Sequence, residues 1–382
     1  MRSEELFIQS ITLTNFRNYK TLRMNLSKEP VILIGENGSG KTNILEAVSL
    51  LSPGKGLRRA ALTELQNKDT VFPWGVASEI YSKDEVLKIS TGIEPKYLSE
   101  KDSQPDKRLI LLDGKPLKNQ TELSEHIAVS WIIPEMDRLL SQGAGLRRKF
   151  LDKLAYTFAP SHGGRVSSYE KAMRERNILL QNNRPDAKWL AALENEMAQK
   201  SVAIAATRLH MENSLQAVVN ESTDAFPKAD IVVAGFAEDA LRNSPALLVE
   251  DALRAALEKS RTEDREKGTA ALGAHKSDLK VFYRDKSCLA DLCSTGEQKA
   301  LIVSIMLSFV RLIEQLRGFP PIFLLDDIAA HLDEYRREAL FEAVFDIGTQ
   351  AWISGTEKNF FQSMFGKAQL FKVENGEWEM EN

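Results

Sequence analysis

Along the first fifty residues the apolar positions first alternate and then bunch. Ile8 to Leu13 reads as a strand, and Val31 to Ile34 as a short buried strand running straight into a glycine-rich loop. From Asn43 to Leu51 the residues Ile44, Leu45, Val48 and Leu51 share one stripe, which predicts a helix. Two β-rich runs, Val76 to Tyr81 and Val86 to Thr91, flank Lys83-Asp84, and Arg108 to Leu112 meets Asp113-Gly114; both are hairpin patterns. Ile127 to Ile133 predicts another strand, stopped by Pro134.

The middle of the chain changes period. Leu146, Phe150, Leu154 and Phe158 recur every four residues, as on one helical face. Neither glycine nor proline interrupts the chain between Pro185 and Pro227, or from Ala246 to Lys267, so long helices are expected in both stretches. After Gly268 the β pattern returns with Leu279 to Tyr283. A helix from about Gly296 to Leu316 follows, then a buried strand Ile322 to Leu325, a helix Asp333 to Phe345 with Asp333 as N-cap, and a strand Ala351 to Ile353. A strand-helix-strand succession implies a parallel sheet with a crossover helix, hence an α/β fold. The expected organisation is a P-loop core with a mixed sheet, built from residues 1–134 and 269–382, with a helical insertion over 135–268.

A length of 382 residues allows two to three domains, or one large domain with an insertion. Hydrophobic residues at 43% and charged residues at 27% match ordinary globular chains, which excludes fibrous and disordered classes. The charge-free run Ala300 to Val310 falls well short of the ~20 residues of a membrane span and ends at Arg311. The opening MRSEELFIQS has no basic-then-apolar design, and there are only two cysteines; a cytoplasmic protein with no membrane partner is expected. Cys288 and Cys293, five apart, read as small half-buried fillers, and no Cys/His spacing suits zinc. A formal net charge of -4 lends no global support to a nucleic-acid partner, so such binding would need a local basic face.

The strongest chemical signal is Gly35-Glu36-Asn37-Gly38-Ser39-Gly40-Lys41-Thr42, which matches G-x-x-x-x-G-K-[ST] between a predicted strand and a predicted helix. Backbone N–H groups of such a loop curl around phosphates, Lys41 brings an ammonium to the β- and γ-phosphates, and Thr42 offers a hydroxyl to Mg²⁺. ATP with Mg²⁺ is the expected ligand. A second carboxylate near the metal comes from Phe323-Leu324-Leu325-Asp326-Asp327: Asp326 as the Mg²⁺ ligand, Asp327 as the group that orients or deprotonates the attacking water.

Cys293-Ser294-Thr295-Gly296-Glu297-Gln298 opens a predicted helix about 250 residues after the P-loop. Taken alone it reads either as an ordinary helix cap or as a second anion site, through Ser294 and Gly296, for a γ-phosphate brought by another subunit. Its place before Asp326-Asp327 and Ala330-His331-Leu332-Asp333 gives the order Walker A, signature, Walker B, D-loop, which resembles the head domains of ABC ATPases. That resemblance implies a head with a core lobe I and an inserted helical lobe II, and an ATP-dependent head-to-tail homodimer. Within the superfamily the chain resembles the RecF family of bacterial recombination mediators. The segments are LTNFRNYK (Leu13 to Lys20), GENGSGKTNILEAVSLLSPGKGLR (Gly35 to Arg58), IIPEMDRLLSQGAGLRRKFLD (Ile132 to Asp152), ERNILL (Glu175 to Leu180), GAHKSDL (Gly273 to Leu279) and STGEQKALIVSIML (Ser294 to Leu307). The pattern departs from the family at Cys293, where Leu is usual, and at Ala274, Lys276 and Ser277, where Pro, Arg and Asp are usual. Thr356, just past the last core strand, is the candidate sensor.

The RecF resemblance implies binding to double-stranded DNA near single-strand gaps together with RecR and RecO, assistance in loading RecA, and slow DNA-stimulated ATP hydrolysis. Candidate phosphate contacts are Lys55, Arg58 and Arg59 after the first helix, Arg147, Arg148 and Lys149 at the start of the insertion, and Lys276. For any one cluster a solvated charged face is the commoner reading. Arg17 reads either as a group reaching the nucleotide or as a prop for the N-terminal hairpin. Three rivals remain on the sequence: a transporter-type ABC ATPase, which predicts a smaller helical subdomain; a chromosome-organising head, which needs long heptads; and a metabolite kinase, which lacks the second anion site.

Overall fold

The computed structural model describes residues 5–93, 107–182, 185–374 and 376–381. The strands are β1 Leu6–Phe16, β2 Tyr19–Asn25, β3 Val31–Ile34, β4 Gly75–Ser82, β5 Glu85–Ile93, β6 Arg108–Leu112, β7 Lys115–Pro116, β8 Val129–Ile132, β9 Ala229–Ala234, β10 Asp278–Tyr283, β11 Cys288–Leu289, β12 Ile322–Leu325, β13 Ala351–Gly355, β14 Gln369–Glu374 and β15 Glu377–Glu381. The helices are α1 Lys41–Ser49, α2 Ala144–Phe158, α3 Ser161–Gln181, α4 Ala187–Glu221, α5 Phe236–Leu241, α6 Ala246–Lys259, α7 Arg261–Lys267, α8 Thr295–Arg317 and α9 Glu334–Ile347. They fall into two compact units. The first holds the chain up to Met136, Thr223–Phe226 and the chain from Met306; the second holds Asp137–Ser222 and Pro227–Ile305.

The first unit carries two six-stranded sheets. One runs β2-β1-β4-β5-β6-β7, antiparallel throughout; the other runs β15-β14-β3-β13-β12-β8, with β8, β12, β13, β3 and β14 parallel. β3, β12 and β13 are buried along their whole length, which is why β3 and β12 read as unbroken apolar runs; β13 is apolar up to Ile353 and ends on Ser354 and Gly355. In β1 the buried face changes phase from Leu6 and Ile8 to Ile11 and Leu13, and a bulge between Ile8 and Ser10 makes the change possible. Both sequence-predicted hairpins form. Lys83-Asp84 and Asp113-Gly114 each take two consecutive left-handed residues, the turn whose twist suits paired strands.

The second unit is not purely helical. Its core, including Leu179, Leu190, Met197, Leu253 and Leu257, lies among α3, α4 and α6, but it also holds the antiparallel sheet β11-β10-β9. The expected insertion ended at 268. The second unit continues to Ile305 because β10, assigned from sequence to the core, pairs along its length with β9. α4 runs unbroken for 35 residues from its Asp186 cap, whose carboxylate accepts from the amides of Lys188 and Trp189. The helix expected over Ala246 to Lys267 is divided at Ser260, whose hydroxyl bonds Leu257 O and Asp264. In α2 the buried residues are Phe150, Leu151, Leu154 and Ala155; Leu146, in the first turn, is exposed. Asp333 caps α9 as expected, accepting from the amide of Arg336.

Candidate nucleotide site

The glycine-rich loop joins β3 to α1 in the first unit; the amides of Asn43 and Ile44 already donate to Gly40 O at 2.9 and 3.2 Å, and those of Lys41 and Thr42, ahead of these first bonds of the helix, face the ligand side. Gly40, the N-cap, has φ 116°, and a methyl group there would strike the hydroxyl of Tyr19. Lys41 is buried, and its Nζ donates to the carbonyls of Gly35 at 2.6 Å and Glu36 at 2.8 Å. Burial pulls its pKa below the ordinary lysine value, against the opposing pull of Asp327 and Asp326.

β12 lies beside β13, and β13 beside β3, which brings Asp326 and Asp327 to the same sheet end as the loop. Thr42 Oγ1 donates to Asp326 Oδ1 at 3.0 Å. Ser354 Oγ donates to the same oxygen at 2.7 Å and accepts the N–H of Asp327 at 2.9 Å. One serine thus fixes both acidic residues, and Asp327 is held at φ 50°. The sequence makes Thr356 the candidate sensor; in the structure it is Ser354 that reaches the Asp326 carboxylate and the Asp327 amide and lines the cavity, while Thr356 lies beyond the end of β13. A serine at the end of a buried strand has no motif, and only its register next to β3 marks it out.

The cavity, about 220 Å³, is lined by Gly40, Lys41, Thr42, Arg58, Asp326 and Asp327 among others. Its donor set fits a metal-bound polyphosphate. Ser39 Oγ is buried without a partner among the described residues, Gly38 leaves open space at the turn of the loop, and a hydroxyl and a carboxylate meet as a hard divalent cation requires. Burial raises the Asp326 carboxyl above its ordinary value of 3.8. A raised carboxyl adds stability below its unfolded pKa and loses it as pH rises through its folded pKa, so the ionised group weakens the ligand-free fold at neutral pH. Asp326→Asn should therefore melt higher than the wild type at pH 7 without nucleotide. The gap should close as pH falls towards 3.8, while ATP turnover is lost. Thermal denaturation across pH checks this, and a lower melting point at pH 7 would refute it.

The NFRNY opening buttresses this site. Asn18 Nδ2 donates to Ser39 O at 3.4 Å and Asn18 Oδ1 accepts from Asn43 at 2.7 Å. Arg17 forms a bidentate pair with the buried carboxylate of Glu46 on α1, at 2.8 and 2.9 Å, and reaches Glu64 O at 2.8 Å. Of its two sequence readings, the structure gives Arg17 the supporting one.

In the second unit Ser294 forms a capping box with Glu297 at the start of α8. Glu297 Oε2 accepts from the amide and the hydroxyl of Ser294, both at 2.9 Å. Lys286 pairs with Glu297, and this pair together with the Ser294 bonds pulls the Glu297 carboxyl down to about 2. Ser294 and Gly296 are both exposed.

The expected DNA cations separate by environment. Lys55, Arg59, Lys149 and Lys276 are exposed. Arg58 is exposed as well, but it bonds Asn43 at 2.8 Å, approaches Glu46 at 3.4 Å and lines the nucleotide cavity. Arg147 is committed to Asp278 by two bonds at 2.8 and 2.7 Å, and Arg148 donates to Ser277 O at 2.8 Å. The GAHKSDL block is accordingly a packed hub. His275 Nε2 meets the carbonyl of Ala270 at 2.9 Å, so that nitrogen carries the proton and Nδ1 accepts from Tyr169 at 2.6 Å. Gly273, at φ 128°, passes so close to the Tyr169 hydroxyl that no side chain fits.

No helix among the described residues is long and apolar enough to cross a membrane. The family model for the RecF/RecN/SMC N terminal domain matches residues 7–379. The DNA replication and repair protein RecF of Rhizobium rhizogenes is 40% identical over 374 residues, covering 97% of this chain and 98% of its own length. RecF of Mesorhizobium japonicum is 42% identical over 371 residues, covering 97% and 96%. Among solved structures, one described as the recombination mediator protein RecF-ATPrS in the RecFOR pathway superposes with a TM-score of 0.86, at 23% identity and with all of both chains covered. With the core matched along its length and two relatives at this level of identity, the chain belongs to the RecF family of DNA replication and repair proteins, within the group that shares the RecF/RecN/SMC N terminal domain.

Proposed function

We propose that the chain is an ATP-driven DNA clamp of recombinational repair and replication restart, switched by slow, DNA-stimulated hydrolysis of ATP. The observation that carries this reading is the convergence of Thr42 and Ser354 on one oxygen of Asp326, beside the buried ammonium of Lys41. The loop from Gly35 to Thr42, through Glu36, Asn37, Gly38, Ser39 and Gly40, cradles the phosphates, the amides of Gly35 and Ser39 being given to Gly355 O and Glu36 O, and Lys41 neutralises the two outermost. Thr42 and Asp326 hold the divalent cation. When bound, Mg²⁺ supplies the positive charge that offsets charge building on the phosphoryl oxygens. Asp327, its backbone fixed by Ser354, orients the attacking water and takes its proton.

Ser294 and Gly296 act across a homodimer interface, each supplying an anion site to the nucleotide of the partner. Sedimentation with and without Mg-ATP, then with gapped duplex added, tests the whole reading. A monomer that dimerises on ATP and binds DNA only then supports it; a monomer indifferent to ATP refutes it. Ser294→Ala should abolish the ATP-driven dimer while leaving ATP affinity of the monomer unchanged. Because Ser294 also caps α8, it should cost about 1 kcal/mol in stability.

Double-stranded DNA near single-strand gaps is the polymer gripped, with RecR and RecO as protein partners and RecA loading as the outcome, in the cytoplasm. The exposed cations Lys55, Arg59, Lys149 and Lys276 are its phosphate contacts in each subunit. At a net charge of -4 the affinity is modest and set by those few groups. The four phosphate contacts of one subunit predict a loss of roughly 150-fold between ~50 and ~200 mM salt. A salt titration of the ATP-bound protein measures it, and a flat response would remove the electrostatic account.

A further inference from the structure

The chain contains only two cysteines, and the fold brings them together. Cys288 opens β11, which is paired to β10 through Tyr283 opposite Cys288 and Phe282 opposite Leu289. The chain then turns back through Ala290–Leu292, and the amide of Cys293 bonds Ala290 O at 3.2 Å. This places the two Sγ atoms 3.6 Å apart, both half-buried and open to a small reagent. A disulfide needs about 2 Å between the sulfurs, so closure is a shift of about 1.5 Å over a short turn.

Cys293 is not a passive end of that turn. Its carbonyl accepts Gln298 Nε2 at 2.9 Å, and the next residue, Ser294, caps α8 through Glu297. Lys286, two residues before Cys288, holds the same Glu297. The thiol pair and the capping box are therefore the two ties of one small loop, and tightening one pulls on the other.

We propose that Cys288 and Cys293 form an oxidisable dithiol site, closed to a disulfide by a hydroperoxide, and that closure loosens the capped first turn of α8. The sulfur of Cys288 attacks a peroxide oxygen, the O–O bond breaks and water leaves, giving a sulfenic acid on Cys288. Cys293 then attacks that sulfur, the S–S bond forms, the S–O bond breaks and a second water leaves. Two thiols have given two electrons and two protons to one hydrogen peroxide. Burial and the neighbouring Cys288 push the Cys293 thiol up to about 11, which leaves the first attack on peroxide to Cys288. In a reducing compartment the disulfide persists only while peroxide is present, so the site reports oxidant rather than stapling the fold. Its consequence for ATP-driven dimerisation rests on the reading of Ser294 given above.

The test treats the reduced, full-length chain with hydrogen peroxide and counts thiols, intact mass and chain length. Two thiols per chain should fall to none with the loss of two hydrogens and no covalent dimer, and dithiothreitol should restore both. Cys288→Ser should give no such product. Oxygen addition without coupling, or a disulfide between chains, overturns the site. Hydrogen exchange on the monomer reads the second half: the Gln298 amide, bonded to Ser294 O at 2.9 Å, should exchange at least several-fold faster after closure. Unchanged exchange in the oxidised protein overturns the link to α8. Sedimentation keeps the two readings apart. Loss of the ATP-driven dimer on oxidation alone extends the inference to the clamp, whereas a reduced chain that never dimerises refutes the clamp while thiol count and exchange still decide the dithiol site.

Discussion

Lys41→Ala is expected to weaken ATP binding by about 10²-fold or more and to remove turnover. The ammonium is already out of water, donating to Gly35 O and Glu36 O at 2.6 and 2.8 Å, at the first residue of α1. Those carbonyls hold it where the phosphates enter, so little reorganisation is needed on binding. Hydrogen bonds to charged groups contribute about 1.5–3 kcal/mol each, and two of them amount to about 3 kcal/mol at the low end, or a factor of about 150. Lys41→Arg separates charge from shape, because a planar guanidinium does not fit a buried site that holds one nitrogen against two converging carbonyls. Both variants should bind weakly if geometry matters, and only the alanine variant if charge alone does. Titration with a fluorescent ATP analogue measures the effect, and a change under about fivefold in Lys41→Ala would remove the lysine from the phosphate site.

What the sequence disclosed and what it hid divides along the range of the interactions. Gly35 to Thr42 was legible because the chemistry and the fold use neighbouring residues: the loop, the cap at Gly40 and the lysine lie within eight positions. The Lys83-Asp84 and Asp113-Gly114 turns were legible for the same reason. Ser354 was not, since its two partners are 27 and 28 residues away and only the β3-β13-β12 register brings them together. Arg147 looked like a free cation beside Arg148 and Lys149 until the fold supplied Asp278, 131 residues on. Arg17 stood evenly between two roles until Glu46 was placed beneath it. β9 was missed because Ile231 to Val233 is a short apolar run that becomes a strand only against β10, from which more than forty residues of chain separate it.

The same long-range logic makes the centre of the second unit vulnerable. Arg176 has no exposed surface, and its guanidinium bonds Glu194 at 2.9 Å, Asp264 at 2.7 Å and Leu257 O at 2.7 Å. Glu194 also holds Arg261, and Asp264 also holds Ser260 and the amide of Ala271. One cation thus ties α3 to α4, to the end of α6 and to α7, around the apolar cluster of Leu179, Leu190 and Leu257. Arg176→Met keeps most of the volume and removes the charge, leaving two buried carboxylates with one cation, Arg261, that is itself a quarter exposed. Breaking a buried pair from one side costs about 3–5 kcal/mol, which for a unit of this size lowers the melting temperature by roughly 10 °C. Adding Asp264→Asn should recover part of the loss, because the amide oxygen still accepts from Ala271 N–H and the NH2 group can donate to Ser260 Oγ, without an unpaired charge. Calorimetry of the three proteins decides it: a single variant within ~1 kcal/mol of wild type would mean that the network is replaceable by packing alone, as some buried ion pairs are. Limited proteolysis gives the location, with new cleavage expected between 137 and 305 in Arg176→Met, and cuts confined to the first unit would contradict it.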